Sequence, residues 1–204
     1  MNHLEIEVKF YLSDISAIRY CIIELGAENR GQVFETNIRF EDDGKNLIRN
    51  KSLLRLRKDT KTTLTYKSEP RSKDNQYKIF RELEVEVSHF STMKRILESL
   101  GFREEQRYEK RRETFILKDT LLCLDSMPYG DFLEIEGSKE QIKKLALQIG
   151  MRWEKRIVLN YLAIFDIIRK KTNVPYSKIT FDNFKNINVN MNQYLHLIEV
   201  GSYE

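Results

Sequence analysis

The 204-residue chain predicts an α+β fold: eight mostly antiparallel strands closed into a barrel, with flanking helices and a C-terminal appendage. Three observations carry that expectation. Short segments with strict two-residue alternation recur along residues 1–165. Three of them, Glu5-Ile6-Glu7-Val8-Lys9, Glu82-Leu83-Glu84-Val85-Glu86 and Glu134-Ile135-Glu136, each lead directly into a helical pattern that stops at glycine, a pseudo-repeat. Short polar links join the remaining strands as hairpins, and closure of such a sheet removes its exposed edges.

Taken in order, the strands fall at about 3–11, 34–41, 52–58, 62–68, 79–87, 107–117, 120–125 and 132–137. The first helix opens at Ser13-Asp14, spaces Ile15, Ile18, Cys21, Ile22 and Leu25 on one face, and stops at Gly26. The second opens near Ser88, carries Phe90, Met93, Ile96, Leu97 and Leu100, and stops at Gly101. The third has a capping box, Ser138 with Gln141, then Ile142, Leu145, Ala146 and Ile149 before Gly150. Asp59-Thr60-Lys61 links the third and fourth strands, while Asp42–Asn46 and Ser68–Gln76 read as mobile loops. Residues 1–165 form the strand-rich domain. Residues 166–204, a helix end followed by an Asn-rich stretch, form the appendage, whose Phe181, Phe184, Tyr194, Leu195 and Leu197 could dock on the barrel, cap one mouth or bridge to a second subunit in a homodimer.

Composition narrows the function classes. Hydrophobic residues at 41% support a core, and 35 basic against 31 acidic residues leave a net charge of only +4. That balance, and basic strands without interleaved aromatics, argue against nucleic acid as partner. No apolar run approaches the roughly 18 residues needed to span a bilayer. With no leader-like N-terminus and only Cys21 and Cys123, the expectation is a cytoplasmic protein with reduced thiols and no membrane partner. Zinc is unsupported, because the cysteines and His3, His89 and His196 lack ligand spacing; Trp153 reads as a packing anchor.

The chemistry lies in the alternation. Side chains two apart share a face, so Glu5, Glu7 and Lys9 stand together opposite Leu4, Ile6, Val8 and Phe10. The same rule groups Arg55 with Arg57, places Lys67 beside two threonines, and groups Lys110 with Arg112, Glu82 with Glu84 and Glu86, and Glu134 with Glu136; Asp125 closes its strand. For any one strand a solvated outer face would explain the pattern. Six strands with acids and bases sorted fit an inward, solvated channel better, because unpaired buried charges cost several kcal/mol each. Carboxylates suit a hard divalent cation, Mg²⁺ or Mn²⁺. Arginine forks and lysines suit phosphate oxygens. The pair of them in one cavity points to a metal–polyphosphate complex.

The N-terminal Glu5-Ile6-Glu7-Val8-Lys9 resembles the ExExK motif of the CYTH superfamily, the triphosphate tunnel metalloenzymes. The resemblance continues in order through Leu54–Arg57, Leu64–Lys67, Arg81–Glu86, Glu109–Arg112 and Leu124-Asp125 to Gly130–Glu136, covering about residues 1–165. Thr65-Tyr66-Lys67, Glu109–Glu113 and Gly130–Glu136 are most similar to the class IV adenylyl cyclase subgroup, although Ser68 and Pro128-Tyr129 stand where that subgroup usually has glycine and Gly-Leu. The resemblance implies an eight-stranded tunnel in which Glu5, Glu7, Glu134 and Glu136 ligate metal. It implies that Glu84 and Asp125 act near a second metal or the water, and that Lys9, Arg55, Arg57, Lys67, Lys110 and Arg112 hold the phosphate chain.

Two reactions fit such a site. A cyclase turns ATP into cyclic AMP and pyrophosphate by attack of the ribose 3′-hydroxyl on the α-phosphorus. A triphosphatase directs water at the terminal phosphorus of inorganic, nucleoside or thiamine triphosphate. The base in either is Glu84 or metal-activated hydroxide, and spacing does not choose between them. A reading of a different class is a non-catalytic module that binds nucleotide or polyphosphate.

Overall fold

A computed structural model describes residues 3–70, 74–172 and 174–200, with the side chain of His3 outside that set. Eight strands form a closed barrel: β1 (His3–Leu12), β2 (Glu28–Asp42), β3 (Ser52–Lys58), β4 (Thr62–Ser68), β5 (Lys78–Glu86), β6 (Phe102–Leu117), β7 (Thr120–Met127) and β8 (Gly130–Glu136). The ring runs β1-β5-β4-β3-β2-β6-β7-β8, and every neighbouring pair is antiparallel. The expected fold class is therefore present.

Two strand starts differ from expectation. β2 and β6 begin right after the glycines, at residues 28 and 102, and pair with each other along most of their length. β2 opens on exposed polar residues that give no alternation, and β6 opens on half-buried Phe102 followed by a run of charged residues. Gly31, at φ 92°, sits where the β2–β6 register shifts, a bulge that glycine accommodates freely.

The outer wall is apolar where helices cover it. α1 (Ile15–Glu24) is capped by Asp14, whose carboxylate accepts from the amides of Ser16 and Ala17. The single turn α2 (Asn46–Arg49) begins at the last residue of the loop expected at Asp42–Asn46. The Glu41 carboxylate accepts from the amides of Leu47 and Ile48, and Asp42 accepts from Asn46, so this segment is a capped turn. α3 (Phe90–Ser99) packs Leu97 over Ile38, Phe40 and Leu56. α4 (Lys139–Gln148), capped by Ser138, joins α1 over Val8, Phe10, Leu122, Leu133 and Ile135. Each helix thus covers the apolar reverse of a charged strand face. Both cysteines are free, and Trp153 packs against Phe10 and Tyr77. Residues 71–73 of the second loop lie outside the described residues.

The C-terminal segment closes two seams that the strands leave open. β1 loses β5 after the pair Glu7–Lys78, and Ile157 takes the vacant edge by exchanging two backbone hydrogen bonds with Lys9, 2.9 and 2.7 Å. β6 meets β7 only from Arg111 onward, and Ile179 bonds the backbone of Arg107 and Glu109 on that bare edge. Between them α5 (Tyr161–Lys171), capped by Asn160, packs Phe165 and Ile168 with Val174, Ile179, Phe184 and Met191 against Tyr108, Tyr129 and Phe132 of the barrel. The boundary expected at 165/166 falls inside α5, and the appendage shares one core with the strands. Gly130, at φ 156°, admits this packing, since a Cβ there would lie 3.0 Å from Met191. Among the described residues no helix is long and apolar enough to cross a membrane.

Ile179→Ala should destabilise the fold by roughly 2–5 kcal/mol, because a fully buried side chain is lost from a shared core. Chemical denaturation measures it. A loss below about 0.5 kcal/mol, the scale of ordinary surface changes, would mean that the tail does not pack on the barrel.

Candidate functional site

The barrel encloses a cavity of about 540 Å³. β1 contributes Glu5, Glu7 and Lys9; β3 contributes Arg55 and Arg57; β4 contributes Lys67; β5 contributes Glu84; β6 contributes Lys110 and Arg112; and β8 contributes Glu134 and Glu136. Of the twelve site residues expected from sequence, only Asp125 is not on the wall. It is fully buried on the inward face, opposite Arg112 and covered by Tyr161, accepting hydrogen bonds from Arg112 Nε (2.7 Å), Lys110 Nζ (3.1 Å) and the Tyr161 hydroxyl (2.7 Å). Glu82 also lines the cavity, whereas Glu86, expected inside with it, lies exposed at the end of β5 and pairs with Lys61 at 3.3 Å.

Acids and bases interlock. Lys9 pairs with Glu7 and lies 2.9 Å from Glu134; Lys78 lies 2.8 Å from Glu7. Lys67 joins Glu5 to Glu82, Arg112 joins Asp125 to Glu134 at 2.7 Å, and Arg57 faces Glu84 at 3.6 Å. Thr65 donates to Glu84 at 3.0 Å and receives a bond from Arg55. The buried Nε atoms of Arg39 and Arg55 have no hydrogen-bond partner among the described residues. Such donors are costly in a dry interior and suit anionic oxygens from a guest.

Protonation follows the same layout. Burial raises the Glu7 carboxyl and Glu134 adds to that, but Lys78, Lys9 and Lys67 outweigh both and bring it to about 2. Burial also raises Glu134, and Arg112, Lys9 and Lys110 hold it well below the usual range. Glu136 goes the other way: burial first, then Glu5, Glu134 and Glu7, push it up to about 7. Burial, with Lys9 and Lys67 close by, keeps Lys78 below the ordinary lysine value despite Glu7.

The donor set fits a hard divalent cation. Four carboxylates share one wall, and mutual repulsion suppresses the charge of Glu136. Among the described residues no three His, Cys, Asp or Glu converge as a preformed cage; lysines hold the carboxylates instead. Glu5, Glu7, Glu134 and Glu136 are the residues that would hold the ion, once those lysines turn to an anion.

Five contributors escaped the sequence reading. Glu35 and Arg39 were legible, because β2 alternates Glu35, Asn37 and Arg39 against buried Ile38 and Phe40. Lys78 sits at the first residue of β5, one before the expected start. Tyr108, an apolar-face type in a charged strand, and Tyr161, at the start of α5, carry no periodic signal. The Tyr161 ring lies 5.0 Å from the Lys9 ammonium and 5.3 Å from that of Lys110.

Glu35 gives a pH prediction. Burial raises its pKa, but Lys110, Arg112, Arg57 and Arg55 together lower it to about 2 from 4.5. A depressed carboxyl stabilises the fold above its unfolded pKa and loses that contribution as pH falls through the folded value. Glu35→Gln should therefore cost on the order of 3 kcal/mol at neutral pH. The gap to the unaltered protein should narrow between pH 4.5 and 2 in denaturation curves. A pH-independent gap would contradict this placement of Glu35.

Comparison with known proteins agrees with this geometry. The pattern of the CYTH domain matches residues 3–148. A protein of Methanocaldococcus jannaschii named as a candidate adenylate cyclase is 28% identical over 143 residues, 69% of this chain and 81% of its own. The structure of the PH1012 protein from Pyrococcus horikoshii is 29% identical, with a TM-score of 0.65, over 77% of this chain and 96% of that one. A Hippeastrum protein, a candidate adenylyl cyclase reported to have a dominant triphosphatase activity, shares the fold at 21% identity and a TM-score of 0.59, over 79% and 95% of the two chains.

Proposed function

The chain belongs to the CYTH family, and we propose that it is a divalent-metal-dependent enzyme acting on the triphosphate chain of a nucleotide held in the tunnel, forming cyclic AMP and pyrophosphate from ATP. The observation that carries the reading is one cavity inside the barrel in which the carboxylates of β1 and β8 meet the cations of β3, β4 and β6. The name of the M. jannaschii relative supports the cyclase outcome. Hydrolysis is the second reading, favoured by the activity reported for the Hippeastrum protein on the same fold.

In this reading, Arg55, Arg57, Lys67, Lys110 and Arg112 bind the phosphate oxygens and neutralise the charge that builds on the departing pyrophosphate. Mg²⁺ or Mn²⁺ held by Glu5, Glu7, Glu134 and Glu136 would supply Lewis-acid charge neutralisation at the phosphate chain. Lys9 and Lys78 keep Glu7 and Glu134 ionised in readiness for it. Asp125, covered by Tyr161, orients Lys110 and Arg112. Glu84, fixed by Thr65 and two arginines, takes the proton of the attacking hydroxyl. The 3′-oxygen bonds the α-phosphorus as the bridge to the β-phosphate breaks, and the electron pair leaves with pyrophosphate. In the hydrolytic reading the same groups serve a water aimed at the terminal phosphorus.

Incubation with ATP, and separately with inorganic triphosphate, in Mg²⁺ or Mn²⁺ tests the reading by product chromatography. Cyclic AMP with pyrophosphate is expected; orthophosphate would favour hydrolysis, and no product from either substrate would favour a binding module. Glu5→Gln and Glu136→Gln should each lower turnover by at least about 100-fold, the scale on which loss of an essential charged contact acts. Both should keep the circular dichroism of the unaltered protein. Activity retained in either variant would contradict the metal assignment.

A further inference from the structure

Tyr161 is the first residue of α5 and, with Asn160 and Leu162, carries the C-terminal segment to the tunnel wall. It stands beyond residues 3–148, the span that the CYTH pattern matches, so membership of the family assigns it no role. Its place is nonetheless fixed at several points. The Asn160 side chain caps the helix start, and the Tyr129 hydroxyl donates to the Tyr161 carbonyl at 2.8 Å. The rings of Tyr161 and Phe132 meet edge to face with centroids 5.3 Å apart. Four residues earlier, Ile157 exchanges backbone hydrogen bonds with Lys9. With 6% of the residue exposed, the side chain has little room to leave this setting.

Both parts of the side chain meet assigned tunnel residues. The hydroxyl donates at 2.7 Å to Asp125 Oδ2, the oxygen that also accepts from Lys110 Nζ (3.1 Å) and from Arg112 Nη2. Burial, then Asp125 and Glu134, push the Tyr161 pKa well above the ordinary tyrosine value, so the hydroxyl stays a donor. Three donors on one fully buried oxygen hold the carboxylate in one geometry, and with it the headings of Lys110 and Arg112. The Lys9 and Lys110 ammonium groups both stand over the ring, 5.0 and 5.3 Å from its centroid. An aromatic face attracts a cation without neutralising it and without binding a hard metal. The carboxylates that pair with Lys9, Glu7 and Glu134, are among those assigned to the ion. Once they turn to metal, the ring is the partner that Lys9 keeps.

We propose that Tyr161 is a positioning residue for the phosphate chain. Its hydroxyl sets Lys110 and Arg112 through Asp125, and its ring keeps Lys9, beside Lys110, at the wall when metal takes the Lys9 carboxylates. The proposal rests on the tunnel reading above and adds to it a group from outside the matched domain, so the barrel alone is an incomplete site. Cations placed before the ligand arrives need no reorganisation as charge builds on the departing phosphate.

Steady-state kinetics, with calorimetric titration of inorganic tripolyphosphate in Mg²⁺, test the proposal on the unaltered full chain, Tyr161→Phe and Tyr161→Leu. Tyr161→Phe keeps the ring and loses the hydroxyl. Its kcat should fall about 10-fold, the worth of a hydrogen bond to a charged group, while tripolyphosphate affinity stays within about threefold. Tyr161→Leu removes the ring as well, and its affinity should fall about 10-fold too. In an Asp125→Asn background Tyr161→Phe should change kcat by less than about twofold, because the hydroxyl acts through that carboxylate. Unchanged kcat in Tyr161→Phe, unchanged affinity in Tyr161→Leu, or an undiminished loss in the Asp125→Asn background would each overturn the assignment. So would equal losses of kcat and affinity in Tyr161→Phe, the mark of a merely structural role. An unaltered protein that binds no tripolyphosphate would instead overturn the tunnel reading. NMR of the unaltered protein is independent of any substitution. The Lys9 and Lys110 methylene protons nearest the ammonium should be shifted upfield by the ring current, and those of Lys9 should stay so once Mg²⁺ and tripolyphosphate are added. Lys9 protons that lose the shift on ligand binding would overturn the role of the ring.

Discussion

Lys9 holds its ammonium between the carboxylates of Glu7 and Glu134, with only 2% of the residue exposed, and the rest of the structure depends on that compensation. A lone buried lysine would lose its proton or unfold its surroundings. Here the cost is met by a network that passes from Glu5 through Lys67 and Glu82 on one side, and from Glu134 through Arg112 to Asp125 on the other. Every strand of the ring except β7 puts at least one charged side chain on the cavity wall, and β7 supplies Asp125, covered by Tyr161. Removing one partner leaves another stranded, so the interior is held together by mutual neutralisation as much as by packing. The apolar cores under α1, α3 and α4 lie outside the barrel wall, whereas the core around α5 reaches the cavity through Tyr108, Tyr161 and Leu162.

That arrangement stores the specificity of the site. In the absence of a guest the lysines serve as counter-ions to the carboxylates. A divalent cation and a phosphate chain arriving together can take over both halves of each pair, so ligand binding exchanges internal salt bridges for external ones of the same sign pattern. Either ligand alone satisfies only half. Glu136 marks the place where the internal compensation falls short, since burial and then Glu5, Glu134 and Glu7 raise its pKa against the pull of Lys67.

The strand faces were legible in sequence because period-two alternation is a direct consequence of the pleat, and Glu5/Glu7/Lys9 or Arg55/Arg57 leave no ambiguity about which residues share a side. Helix ends were legible for a similar local reason, as Asp14 and Ser138 show by capping the helices they precede. What escaped was set by contacts distant along the chain. Asp125 shares the inward face with its cross-strand partner Arg112, as alternation implies, and only the approach of Tyr161 from α5, 36 residues later, shows that it is covered and off the cavity lining. The start of β2 gives no alternation because its residues 28–32 are all exposed, whereas the start of β6 shows only one apolar residue, Phe102, which packs under α3. The role of the Asn-rich tail is likewise invisible in composition, because Ile157 and Ile179 act through backbone bonds to open strand edges.

The central claim is that the internal ion pairs stand in for a metal–triphosphate complex. Crystals grown with Mn²⁺ and inorganic tripolyphosphate test it directly, because manganese is located by its anomalous scattering. The account predicts manganese among Glu5, Glu7, Glu134 and Glu136, phosphates on Arg55, Arg57, Lys110 and Arg112, and Lys9 and Lys67 drawn from their carboxylates. Manganese or tripolyphosphate bound only on the outer surface, with the lysine–carboxylate pairs of the tunnel intact, would contradict it.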